Sequence, residues 1–145
     1  QGADMAANLA ARDEPRPGGG VDFGLESPEN ARRGGRVGAI RVLAADLFKV
    51  KPILVFRDGL VRDIGIVSGY DNAVARVLNL YRERARFGGE VYLFHADRTG
   101  LAESVRDRLL QIDPDARITI GWVGAVIGIY TGPGALGLAF EQKQP

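Results

Sequence analysis

The residues of this chain that could do chemistry are few and widely spaced. His95 is its only histidine, and Asp97, two positions on, would share a strand face with it and could bond the imidazole. No cysteine is present to pair with the histidine, and no acid cluster at metal-ligand spacing surrounds it. No catalytic residue and no metal centre is therefore expected, and the His95 and Asp97 pair reads as structural or helix-capping. Gly34-Gly35-Arg36 would offer free N–H groups at a helix start beside a guanidinium, which suits a carboxylate or a phosphate equally. Tyr130-Thr131-Gly132-Pro133-Gly134 offers a phenol and a hydroxyl at a sharp reversal, with Pro133 fixing φ and both neighbouring glycines free to take positive φ.

Just ahead of that turn, Val123, Val126, Ile127 and Ile129 are interrupted by Gly124 and Gly128, which lack a Cβ and leave room for close approach. These residues could form the apolar wall of a pocket with polar groups at its rim. The same pattern also fits a buried strand or helix followed by a turn.

Composition narrows the field. The 145 residues can bury one compact core without disulfides or metals. With 19 basic against 18 acidic residues, the net charge of +1 provides no strong field for nucleic acid. Neither a membrane span nor a signal peptide is expected, and the cytoplasm is the expected location. The 20 glycines, about twice the ordinary share, point to tight packing and turns.

The elements that must position these groups are legible in part. Gln1 to Arg12 reads as an alanine-rich helix and Asp13 to Gly20 as a Pro/Gly linker. Val37, Ile40, Leu43, Ala44, Leu47 and Phe48 fall on one helical face. Pro52 then forces extended chain over Ile53 to Phe56, Asp58-Gly59 predicts a turn, and Leu60 to Val67 returns as the second strand of a hairpin. Asp71 or Asn72 would cap a helix whose buried stripe is Val74, Val77, Leu78, Tyr81 and Ala85, with Arg76, Arg82, Glu83 and Arg84 on its solvated face and Gly88-Gly89 at its end. A strand over Glu90 to Ala96 follows. Asp97 or Thr99 would cap a second helix, built on Leu101, Val105, Leu109 and Ile112 and stopped by Pro114. Ala116 to Val123 and Ala135 to Phe140 read as the last strands. Strands alternating with helices imply an α/β fold, here with a mixed β-sheet of about five strands.

Taken in order, these motifs resemble the C-terminal half of the DegV family of bacterial fatty-acid-binding proteins. The resemblance rests on Gly34-Gly35-Arg36, Lys51-Pro52-Ile53-Leu54, Asp58-Gly59, His95-Ala96-Asp97 and the run from Gly124 to Gly137, and spans residues 21 to 140. It implies a DegV-like C-terminal α/β domain over residues 34–145, preceded by residues 1–33 as a helix and linker left from an N-terminal domain that is largely missing. It also implies a long-chain fatty acid as ligand, with the acyl chain buried here and the carboxylate near the crevice between domains, in some members presented to a separate fatty acid kinase. On that resemblance Arg36, Tyr130, Thr131 and Gly132 stand near the head group, and Val126, Ile127 and Ile129 along the chain. The expected protein binds lipid, carries no cofactor besides that ligand, is not an enzyme, and self-associates to cover the face the lost domain leaves bare.

Three departures from the family pattern bear on this. Tyr130 occupies the place of a usual histidine and cannot supply an imidazolium. Val67-Ser68-Gly69-Tyr70 offers a serine and no cation where the family often has an arginine. The N-terminal domain is almost absent. Two other readings stay open: a small α/β enzyme binding a phosphorylated metabolite at Gly34-Gly35-Arg36 and Thr131-Gly132-Pro133-Gly134, and a structural fragment without a ligand.

Overall fold

The computed structural model describes residues 19–24, 30, 33, 50–57 and 60–143. The helices expected over residues 1–12 and 37–48, the turn at Asp58-Gly59 and the motif Gly34-Gly35-Arg36 lie outside the described residues. Within them the fold is α/β, with six strands in one mixed sheet and three helices: β1 (Gly19–Gly24), β2 (Val50–Arg57), β3 (Leu60–Ser68), α1 (Tyr70–Arg84), β4 (Glu90–His95), α2 (Thr99–Ile112), β5 (Arg117–Trp122), α3 (Ala125–Thr131) and β6 (Leu136–Glu141). The strand order is β3-β2-β1-β6-β4-β5. Only β4 and β5 run parallel, with α2 as their crossover, and every other neighbouring pair is antiparallel.

The strand beyond the expected five is β1. Its first two residues close the predicted linker and its last four follow it, yet Val21 pairs with Phe56 on one side and Ala139 on the other. This part of residues 1–33 belongs to the sheet, because Asp22 at its centre finds a partner far along the chain. Asp22 is 0% exposed and accepts a bond from Arg84 Nη1 at 2.6 Å. Arg84 therefore reaches inward instead of lying on the solvated face expected for it.

Helices α1 and α2 cover one face of the sheet. Val74, Val77, Leu78 and Tyr81 from α1 and Val105 and Leu109 from α2 pack with Ile53, Val91, Leu93, Leu136, Leu138 and Phe140. Gly69, with φ 79°, starts α1 where Asp71 or Asn72 was expected. Asp71 lies in the first turn, where its charge suits the helix dipole, and Asn72 Nδ2 donates back to the Ser68 carbonyl at 2.7 Å. Likewise Arg98, not Asp97 or Thr99, occupies the cap of α2, while Asp97 takes φ 59°, a conformation a short polar side chain tolerates. Helix α1 stops at Arg84, short of Gly88-Gly89, because Ala85 is extended and bridges to Gln142.

One buried polar network ties both helix ends together. The Tyr81 hydroxyl donates to Asp113 Oδ2 at 2.6 Å, and the Gly88 N–H donates to the same carboxylate at 2.9 Å. Burial, reinforced by the bond to Asp113, holds the Tyr81 phenol well above its ordinary range.

Candidate functional site

Strand alternation decides what lies on the sheet's other face. In β4, Val91, Leu93 and His95 are buried toward the helices, so Tyr92 and Phe94 turn the opposite way. Register then aligns one row across five strands, from Phe56 through Val21, Ala139 and Tyr92 to Thr119. The next row brings Phe94 between Gly137 and Gly121. Small residues beside large rings leave a trough.

That trough is an apolar groove of about 440 Å³, lined by Val21, Phe56, Tyr92, Phe94, Ala139 and Gly121, with Val123, Gly124 and Ile127 at one end. Ligand sites for drug-sized molecules occupy roughly 300–1,000 Å³. A Cβ at Gly121 or Gly124 would meet nothing within 4 Å, so open space adjoins both glycines. An apolar groove is thus present, with its floor on the sheet.

The anticipated acyl wall is divided by helix geometry. Residues 125–131 form α3, so Val126, Ile127 and Ile129 cannot face one way. Ile127 lines the groove, whereas Val126 and Ile129 are 76% and 69% exposed and do not line it. Of the expected head-group residues, Thr131 lies one turn beyond Ile127 on the same stripe, and the half-buried Tyr130 lies on the stripe of Val126.

Thr131 is the informative member. It is 4% exposed, and among the described residues its Oγ1 has no hydrogen-bond partner. A buried hydroxyl in that condition costs about 1–3 kcal/mol and marks a place where a polar ligand atom would be welcome. The turn after it behaves as the sequence implies. Gly132 and Gly134 take φ 71° and 84°, the Gly132 N–H caps α3 by donating to Gly128, and the Gly134 N–H donates to the Ala96 carbonyl at 2.7 Å. A Cβ at Gly132 would lie 1.6 Å from Asn30 Nδ2, so this glycine is what lets the amide approach the turn. Arg36 lies outside the described residues.

His95 does not bond Asp97. Its Nδ1 accepts from the Arg98 N–H at 3.2 Å, and its buried ring packs 4.7 Å from that of Trp122. Sequence reasoning missed Phe56, Tyr92 and Phe94 as groove residues. The alternation of β4 was visible, but nothing local says which face a helix covers. Among the described residues no group of three or more His, Asp or Glu is placed to hold a metal, and no helix is long and apolar enough to cross a membrane.

The chain spans about half the length of the curated relatives it matches. It is 31% identical over 142 residues to a DegV domain-containing protein of Halalkalibacterium halodurans, covering 97% of this chain and 50% of the relative. Among solved structures, DegV, a fatty acid binding protein from Bacillus subtilis, matches with a TM-score of 0.69 at 24% identity over 99% of this chain and 50% of its own. The Streptococcus pneumoniae Fatty Acid Kinase (Fak) B3 protein, loaded with linoleic acid, matches with a TM-score of 0.74 at 16% identity over 97% of this chain and 50% of its own. The family model described as "Uncharacterised protein, DegV family" matches residues 1–143, and the chain belongs to the DegV family.

Proposed function

We propose that this chain binds a long-chain fatty acid, with hydrocarbon along the groove over β1, β4, β5 and β6 and the carboxylate at the turn after α3. One observation carries the reading: an apolar trough bounded by Ile127 lies one helical turn from a buried, unpartnered Thr131 hydroxyl. The linoleic acid carried by the Streptococcus pneumoniae protein and the fatty acid binding of the Bacillus subtilis protein support it. Each buried methylene contributes about 0.8 kcal/mol, so a chain of about fifteen gives about 12 kcal/mol gross, against association costs of about 4–15 kcal/mol. Hydrocarbon contact therefore supplies the affinity, and the head group sets direction. Tyr130, Gly132 and Arg36 complete the head-group set in this proposal, and Val126 and Ile129 contact the chain only if α3 moves.

On this reading the protein binds and does no chemistry of its own. Its proposed partner is a fatty acid kinase that takes up the presented carboxylate, its proposed location is the cytoplasm, and self-association covers the apolar surface at Tyr92 and Ile127, as sedimentation would reveal. The binding test is calorimetric. Titration with palmitate should release heat that saturates. Lipid extracted from the purified protein should contain long-chain acids. A flat titration together with a lipid-free extract would reject the proposal and leave a domain without a ligand.

A further inference from the structure

The two outer strands of the sheet are guarded unequally. At one edge β3 carries the adjacent charges Arg62 and Asp63, and a bulge between its pairings to Ile53 and Leu54 interrupts the ladder. Its Gly65 takes φ 138°, and the Gly65 N–H is already engaged by Asp63 Oδ1 at 2.8 Å. Bulges and charges of this kind keep an edge from pairing with another chain. At the other edge β5 reads Arg-Ile-Thr-Ile-Gly-Trp, with an unbroken register to β4, no proline, and a charge only at its first residue. Among the described residues no strand lies outside it.

Hydrogen bonding fixes which groups of β5 are open. The Arg117 N–H donates to the Gly89 carbonyl at 3.0 Å and the Val123 N–H to the His95 carbonyl at 2.9 Å. Odd-numbered residues therefore face β4, and Ile118, Ile120 and Trp122 turn their N–H and C=O groups to the free edge. We propose that β5 pairs antiparallel with β5 of a second copy of this chain, across a two-fold axis at Ile120, joining the two sheets into one. Only that symmetric register opposes every open residue to another: Ile120 to itself, and Ile118 to Trp122 in both directions. The side chains agree with the backbone. On the helix-covered face Ile118 and Ile120 are half-buried against the core, while Trp122 leans on the His95 ring and is otherwise 69% exposed. Pairing sets each Trp122 beside Ile118 of the second copy, an aromatic and β-branched pair of the kind that stabilises sheets. On the opposite face Thr119 meets Gly121 and Arg117 meets Val123, so no like charges oppose one another. The strand thus supplies its own complement, which favours a second copy over an arbitrary extended segment. Thr119 and Gly121 end the two rows of the groove face, so the floors of the two copies run into one another across the axis. The contact gives the proposed self-association a definite surface and does not depend on bound lipid.

Sedimentation velocity of the wild type over a range of concentrations should show monomer and dimer in equilibrium. Trp122→Lys alters an exposed residue and should weaken the dimer by about tenfold, since the pair it breaks occurs twice. The chain has no cysteine, so Ile120→Cys is a clean second probe. Directly opposed residues on paired antiparallel strands lie about 5.5 Å apart at Cα, within reach of a disulfide. Mild oxidation should therefore link two copies of Ile120→Cys, whereas Leu60→Cys, exposed on the far edge in β3, should stay unlinked. A wild type that remains monomeric at the highest concentration would overturn the proposal and leave the β5 edge to a strand of another protein. A dimer unchanged by Trp122→Lys, or equal linkage of Leu60→Cys and Ile120→Cys, would put self-association elsewhere on the surface and overturn the edge while the lipid reading stands.

Discussion

Replacing Gly121 by leucine should plug the groove from its floor. Gly121 pairs with Phe94 across β4 and β5 and lines the trough, and a Cβ built there meets nothing within 4 Å. The side chain therefore enters space the ligand would use instead of striking the protein. Its four carbons displace about four methylenes of the acyl chain, which at about 0.8 kcal/mol each removes about 3 kcal/mol, or about two-hundredfold in Kd. The fold should not suffer, since a strand glycine costs about 0.5–1 kcal/mol relative to alanine and the substitution relieves that. Calorimetric titration with palmitate, run beside a melting curve, reads both quantities. A control, Val126→Ser, alters an exposed residue outside the groove and should leave Kd and Tm within error. If Gly121→Leu melts normally and still binds palmitate with wild-type affinity, the hydrocarbon does not lie in this trough and the reasoning fails.

Three further outcomes are expected. Thr131→Val removes the unpartnered hydroxyl at nearly constant volume, so the free protein should gain up to about 1–3 kcal/mol in urea unfolding while carboxylate binding weakens; loss of stability would mean that the hydroxyl has a protein partner. Arg84→Ala strips the guanidinium from a fully buried Asp22 and should cost about 3–5 kcal/mol, read as a fall in the denaturation midpoint, with little change meaning that other groups neutralise the carboxylate. Tyr81→Phe deletes the bond to Asp113 and should cost about 1.5–3 kcal/mol near neutrality. The Tyr81 phenol is raised in the folded state above its ordinary value of 10.0, so its contribution is complete below that pH and is lost as pH climbs beyond it. The wild type should therefore lose more stability than the Phe variant in strong alkali; parallel curves would remove Tyr81 from the account.

How far the sequence carried the fold depended on whether the cause was local. The stripe of Val74, Val77, Leu78 and Tyr81 and the apolar run of β4 declared themselves, since period and burial are written in adjacent residues. Strand β1 did not, because Gly-Gly-Val-Asp-Phe-Gly is rich in residues that weaken strands and its buried acid is balanced by Arg84, 62 positions later. Helix α3 was ambiguous for another reason: glycines at 124 and 128 repeat at the spacing of a helical turn but favour no helix. Of the site, the Gly132 and Gly134 turn was readable from Pro133. The groove was not, since it depends on which sheet face α1 and α2 leave bare.

Strand β6 lies between β1 and β4, and among the described residues no other strand bridges them. Until residue 141 has emerged during synthesis, the chain holds two separate sheet pieces, β3-β2-β1 and β4-β5, each with an open hydrogen-bonding edge. Such edges invite pairing with other chains. Expression should therefore be sensitive to anything that delays the final strand, and a variant weakened within Leu136–Glu141 should appear first as insoluble protein rather than as a soluble protein with a lower melting point.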